Sequence, residues 1–204
     1  DVFKSDRLVL EDIVFRQALI LPEQEERIVQ LVLTPDTSGQ CSFQIFSLGV
    51  NEETPESSST LHASGRIRVE DRIPEPARVD LSALRAQIAE EVSVERFYRE
   101  LRERGFDFGP SFQAVDKLWR NDGQALGSLR VPRDSGDYKV HPALLDACSQ
   151  VSGVISADRS DQAAYVQIGI ERLRLYRPTK NPLWSHVRMR SSERPRGTLG
   201  TVLP

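Results

Sequence analysis

Apolar and polar positions alternate along the first third of the chain. Residues 28–33 and 41–47 are rich in β-branched and aromatic side chains, and Thr37-Ser38-Gly39-Gln40 between them has turn chemistry, so an antiparallel hairpin is predicted. Two apolar stretches around Glu11-Asp12 precede it within residues 8–20, closed by the polar turn Pro22-Glu23-Gln24-Glu25. Residues 60–69 resume as a strand after an acidic, Ser-rich stretch. Four strands of one sheet are expected here. Residues 70–91 lose this regularity through Pro74, Pro76 and a run of charges, with only Leu81, Leu84 and Ile88 offering a short helical turn, and read as a linker.

The period then changes. Val94, Phe97, Tyr98 and Leu101 recur at helical spacing behind Ser93, a good N-cap, and Gly105 stands where a left-handed C-cap belongs, so a helix over 94–104 is predicted. Strands are expected over 112–120, with Phe112 pointing inward, and over 124–131, joined by the hairpin turn Asn121-Asp122-Gly123. In residues 141–155, Pro142 suits a first helical turn, and Leu144, Leu145, Ala147, Cys148, Val151, Val154 and Ile155 surround most of the circumference. Such a helix must be buried. Further strands are expected over 164–176 and 183–190, so the second unit reads as strands wrapped around one apolar helix.

Composition narrows the function. The 204 residues carry 27 Lys+Arg against 30 Asp+Glu, a net charge of −3, which disfavours a nucleic-acid partner. Two cysteines, Cys41 and Cys148, make neither a zinc cluster nor a disulfide framework, and the chain reads as cytoplasmic. No 18-residue apolar run or signal-peptide succession occurs, so no membrane association is expected. No metal site is expected either. His141 and Asp146, five apart, do not share a helical face, and His62 and His186 lack a ligand set.

Asp146 is the residue that packing does not absorb. It lies within the apolar helix with Gln150 four residues on, which sets a carboxyl beside an amide on one face. A carboxylate placed there must find donors or keep its proton, and a protonated acid beside an orienting amide is suited to general-acid work. A structural role, such as capping a neighbouring loop, is equally compatible with this spacing. Phe108-Gly109-Pro110-Ser111-Phe112, taken alone, is a tight turn followed by a core aromatic.

Together, His141-Pro142-Ala143-Leu144-Leu145-Asp146 with Gln150, the 108–112 segment, Leu61-His62-Ala63-Ser64-Gly65-Arg66, Asp12-Ile13-Val14-Phe15 and Gly169-Ile170-Glu171-Arg172-Leu173 resemble the dehydratase domain of modular type I polyketide synthases, in the family's order. The resemblance implies an α+β double hotdog, two antiparallel sheets each wrapping a central helix. It implies residues 1–70 as part of the N-terminal hotdog, 71–92 as a linker and 93–204 as the C-terminal hotdog. The implied reaction removes water from a 3-hydroxyacyl chain on the phosphopantetheine of an acyl carrier protein, giving a 2-enoyl thioester with no cofactor in the domain itself. Asp146 would be the catalytic acid and Gln150 its support. His141, Pro142, Phe108, Gly109, Pro110 and Phe112 would shape the substrate site, with Phe108 replacing the family's usual Tyr.

The family's base is a histidine in His-x-x-x-Gly-x-x-x-x-Pro, and His62, His141 and His186 all lie outside that pattern. The opening residues resemble the stretch after the first hotdog helix, so the first hotdog and the end of the second are expected to be incomplete, and the chain alone inactive. Partners implied are an acyl carrier protein, neighbouring synthase domains and a second copy in a homodimer. The basic stretch over 177–196 could steer an acidic carrier protein, although a solvated strand face explains it as well. Alternative functions are a non-catalytic hotdog remnant serving dimerisation or carrier docking, and an oxygen-ring cyclase.

Overall fold

The computed structural model describes residues 7–37, 39–49, 59–70, 72, 74–76, 78–131, 138–156, 166–176, 183–189 and 198–203. The chain divides into two units, residues 1–76 with 166–177, and residues 77–165 with 178–204.

The first unit is an antiparallel sheet of five strands. Its members are β1 (Leu8–Phe15), β2 (Ile28–Pro35), β3 (Cys41–Leu48), β4 (Ser59–Val69) and, far along the chain, Gly169–Arg174, in the order β2-β3-β4-β1 with the late strand outermost. The expected hairpin forms with Leu33 opposite Phe43 and Pro35 opposite Cys41. Gly65 is required by close approach, because a Cβ there would lie 2.6 Å from the Phe43 ring. The late strand corrects the sequence reading, which assigned it to the second unit. Arg172 pairs with Glu11, and Arg174 with Val9, in β1. Ion pairs hold it there: Arg174 meets Glu70 at 2.6 Å, Arg172 meets Glu11 at 2.8 Å, and Arg68 contacts both glutamates. Among the described residues this unit has no helix, and Ile20, Leu21, Ile28 and Leu31 are largely exposed.

The second unit also has five antiparallel strands. Residues read as a linker enter it as α1 (Leu81–Gln87), capped by Asp80 on the Ala83 amide, and as the edge strand β5 (Glu90–Val92). The predicted helix is α2 (Val94–Glu103), with the Ser93 hydroxyl accepting from Arg96 N–H and Gly105 at φ +93°. There follow β6 (Val115–Asn121), β7 (Gln124–Leu129), α3 (Pro142–Gln150) and α4 (Gly153–Ser156). Next in the chain comes the late strand of the first unit, β8 (Gly169–Arg174), and then β9 (Leu183–Met189) and β10 (Thr198–Leu203). Sheet order is β10-β9-β7-β6-β5. Strand β10 corrects the expectation that the second sheet ends near Arg190.

Alternation along these strands gives the sheet two apolar faces. Leu118, Ala125 and Val187 pack with Leu144, Ala147, Val151 and Val154 of the α3–α4 region and with Phe97 and Tyr98 of α2. Their neighbours Trp119, Leu126 and Trp184 pack against Leu84 and Ile88 at the other helix. The central helix is thus buried as expected, except that Leu145 faces outward. Gly127 permits its approach, since a Cβ at that position would sit 2.5 Å from Val151 Cγ2.

Candidate functional site

Asp146 and Gln150 lie one turn apart on α3. The helix starts at His141, whose Nδ1 accepts the Ala143 amide at 3.2 Å, with Pro142 in the first turn where its missing N–H costs nothing. Gln150 is buried and Asp146 is half-buried. The amide Nε2 donates to Asp146 Oδ2 at 2.6 Å and to the Phe112 carbonyl at 3.0 Å. Gln150 Oε1 accepts from the Tyr98 hydroxyl at 3.0 Å, and the Tyr98 oxygen accepts the Val115 amide at 3.2 Å.

Burial pushes the Asp146 carboxyl above the usual carboxylate range, and the hydrogen bond from Gln150 pulls partly back. Tyr98 is shifted upward, chiefly by burial, so its phenol stays protonated and able to donate. Burial also pushes the Cys148 thiol up to about 12, which fits a packing residue and not a nucleophile.

The 108–112 segment serves the site through its backbone. Gly109 and Pro110 open a 3-10 turn over Pro110–Phe112, closed by Phe112 N–H donating to the Gly109 carbonyl, so Phe112 is not the first residue of a strand. Its ring is 41% exposed, contrary to the inward orientation expected, while its carbonyl is the group that anchors Gln150. Phe108 is partly buried, edge-on to Tyr98 at 6.5 Å and stacked on Phe106 at 6.2 Å. His141 and Pro110 line a separate cleft of about 410 Å³ with Arg130 and Val131; neither Asp146 nor Gln150 borders it. Sequence reading missed Tyr98 as a site residue because it counted only as an apolar position of α2. A phenol on a buried helix face, which needs a partner for its hydroxyl, was the available signal.

The other histidines sit elsewhere. His62 is buried in the first unit with Nε2 2.7 Å from Ser47 Oγ and Nδ1 3.0 Å from the Gln17 carbonyl oxygen. His186 lies 3.0 Å from Gln124 Oε1. Among the described residues, no group of three His, Cys, Asp or Glu side chains is placed to hold a metal ion, and no helix is long and apolar enough to cross a membrane. Most of the basic stretch over 177–196 lies outside the described residues.

Comparison with known proteins identifies the family. Residues 76–202 match the family described as "Polyketide synthase dehydratase N-terminal domain", and residues 1–48 match "Polyketide synthase dehydratase domain". The chain belongs to the polyketide synthase dehydratase family, and its fold is that family's double hotdog. The dehydratase domain from the CurF module of curacin polyketide synthase is 32% identical, with a TM-score of 0.84 over 94% of this chain and 69% of that one. A trans-AT dehydratase domain from Brevibacillus brevis is 27% identical, with a TM-score of 0.81 over 93% and 66%. Among curated relatives, polyketide synthase PksM of Bacillus subtilis is 26% identical over 95% of the chain. NorA of the spectinabilin system in Streptomyces orinoci is 33% identical over 70% of it. The chain spans 5% of the length of PksM and 8% of that of NorA.

Proposed function

We propose that this chain carries the acid that expels water from a 3-hydroxyacyl thioester held on the phosphopantetheine of an acyl carrier protein. The observation that carries this reading is the carboxyl of Asp146, half-buried in an apolar helix and fixed by Gln150 at 2.6 Å. In the reaction the β-carbon–oxygen bond breaks, the Asp146 proton leaves with the hydroxyl as water, and the electrons of the α-carbon–hydrogen bond form the double bond. A base must accept the α-proton. Solved structures of the CurK dehydratase include a His-to-Phe and an Asp-to-Asn variant, both described as inactive, which supports a histidine and an aspartate as the working pair in that relative.

None of the three histidines here stands in the family's base motif, and His62 has both ring nitrogens engaged. The 204 residues alone therefore do not complete the elimination, because α-proton removal and hydroxyl departure each need a positioned group. The acyl carrier protein and adjoining synthase domains are the partners this chemistry requires. The test is to incubate a 3-hydroxyacyl-pantetheine thioester with this chain alone, and with the chain extended by the residues that precede Asp1 in its reading frame, following loss of water by mass spectrometry. Turnover by the extended chain only is expected. An extended chain that stays inert would point instead to a non-catalytic hotdog.

A further inference from the structure

We infer that Tyr98 is a positioning residue that fixes which oxygen of Asp146 carries the acidic proton; the inference rests on the reading of Asp146 as the acid.

The argument follows the hydrogen atoms. Gln150 Nε2 has two, and both are spent, one on the Phe112 carbonyl at 3.0 Å and one on Asp146 Oδ2 at 2.6 Å. Because Oδ2 accepts, a protonated Asp146 holds its hydrogen on Oδ1, the oxygen turned away from the amide. That assignment holds only while Gln150 keeps its nitrogen toward the acid. If the amide rotated by half a turn, Oε1 would face the Phe112 carbonyl with no hydrogen between them, and a protonated Oδ2 could donate to it.

Two groups oppose that rotation, and Tyr98 is the one that acts on Oε1. Its hydroxyl oxygen is occupied by the Val115 amide at 3.2 Å, which leaves its hydrogen for Gln150 Oε1 at 3.0 Å. Rotation would present the amide NH₂ to a hydroxyl that needs an acceptor. Tyr98 is 9% exposed, so water does not readily replace the lost acceptor. The phenol ring lies on the buried face of α2, beside the Phe97 ring at 5.3 Å and the Phe108 ring at 6.5 Å. The charged groups that act on it are Arg130 and Asp146 itself.

The chain Val115 to Tyr98 to Gln150 to Asp146 therefore runs in one donor direction and ends on Oδ2. Its consequence is that the acid offers its proton from one defined oxygen.

The experiment is a titration of the Asp146 carboxyl by carbon NMR in the full 204-residue chain, comparing wild type with Tyr98→Phe, which keeps the ring, and Gln150→Leu, which removes the amide. Removing the hydroxyl should move the Asp146 titration upward, part of the way to the value in Gln150→Leu, by about half a unit or more. An unchanged titration in a folded Tyr98→Phe would overturn the inference. Should that variant not fold, the unaltered chain decides: both Gln150 side-chain amide protons should exchange slowly with solvent, and rapid exchange of either contradicts the relay. Neither readout needs turnover. Undiminished dehydration by Asp146→Asn in the extended chain, with the NMR result intact, would count against Asp146 as the acid and leave the positioning role standing.

Discussion

Gln150 Nε2 lies 2.6 Å from Asp146 Oδ2, one helical turn away on α3, and the carboxyl it supports sits above its ordinary range because of burial. A group whose folded-state pKa is raised binds its proton more tightly in the native chain than in the unfolded one, so its contribution to stability is present at acid pH and is lost as pH rises from the ordinary aspartate range through the raised value. Asp146→Asn should therefore gain stability relative to wild type as pH rises across that window. Denaturant midpoints of the two proteins at acid and neutral pH check this; midpoints that move in parallel would contradict it.

The first unit has the opposite dependence. Glu70 is held below the usual carboxylate range, chiefly by Arg174 with Arg68 adding to it, and Glu11 chiefly by Arg68 and then Arg172. Their stabilisation is present above the ordinary range and is lost as pH falls toward the depressed values. Hydrogen exchange should show β8 released from β1 first on acidification, and earlier in high salt, because these arginines are partly exposed to screening. Glu70→Gln should loosen β8 already at neutral pH, and unchanged protection of residues 170–174 would count against the clamp.

Gly127 and Val151 touch with no room for a methyl group, the absent Cβ falling 2.5 Å from Val151 Cγ2. Gly127→Ala should cost about 1–3 kcal/mol by overpacking. The double variant with Val151→Ala should recover part of the loss relative to Val151→Ala alone. A coupling of zero in the mutant cycle would show that the helix simply shifts away.

Among the described residues β2 is an edge strand of its sheet, and it presents Ile28 and Leu31 at 61% and 58% exposure. Apolar edges of this kind recruit a partner. Sedimentation should find the chain self-associated, and Ile28→Lys with Leu31→Lys should shift it toward monomer; a wild-type chain that sediments as a clean monomer contradicts the expectation.

Local chemistry made α2 readable in the sequence, since Ser93 and Gly105 mark its ends and Phe97 and Tyr98 its buried face. The Asp146–Gln150 pair was readable for the same reason, because four residues on a helix suffice to place two side chains together. Pairings across long chain separations were not. Nothing local in Gly169–Arg174 tells that it joins Leu8–Phe15 and not the adjacent β9, and the assignment depends on Arg172 and Arg174 meeting Glu11 and Glu70. At Phe112 the apolar pattern suggested a strand, but Gly109-Pro110 supplies a short turn that exposes the ring and turns its carbonyl to the site. Tyr98 was read for its ring, while its hydroxyl makes the connection that matters.

The most direct measurement is dehydration of a 3-hydroxyacyl-pantetheine thioester by the chain extended through the residues before Asp1, with and without Asp146→Asn. Rate loss of about 10²-fold or more on replacing the acid, with the fold intact, is the expected result. Undiminished release of water by the Asn variant would show that the proton comes from another group.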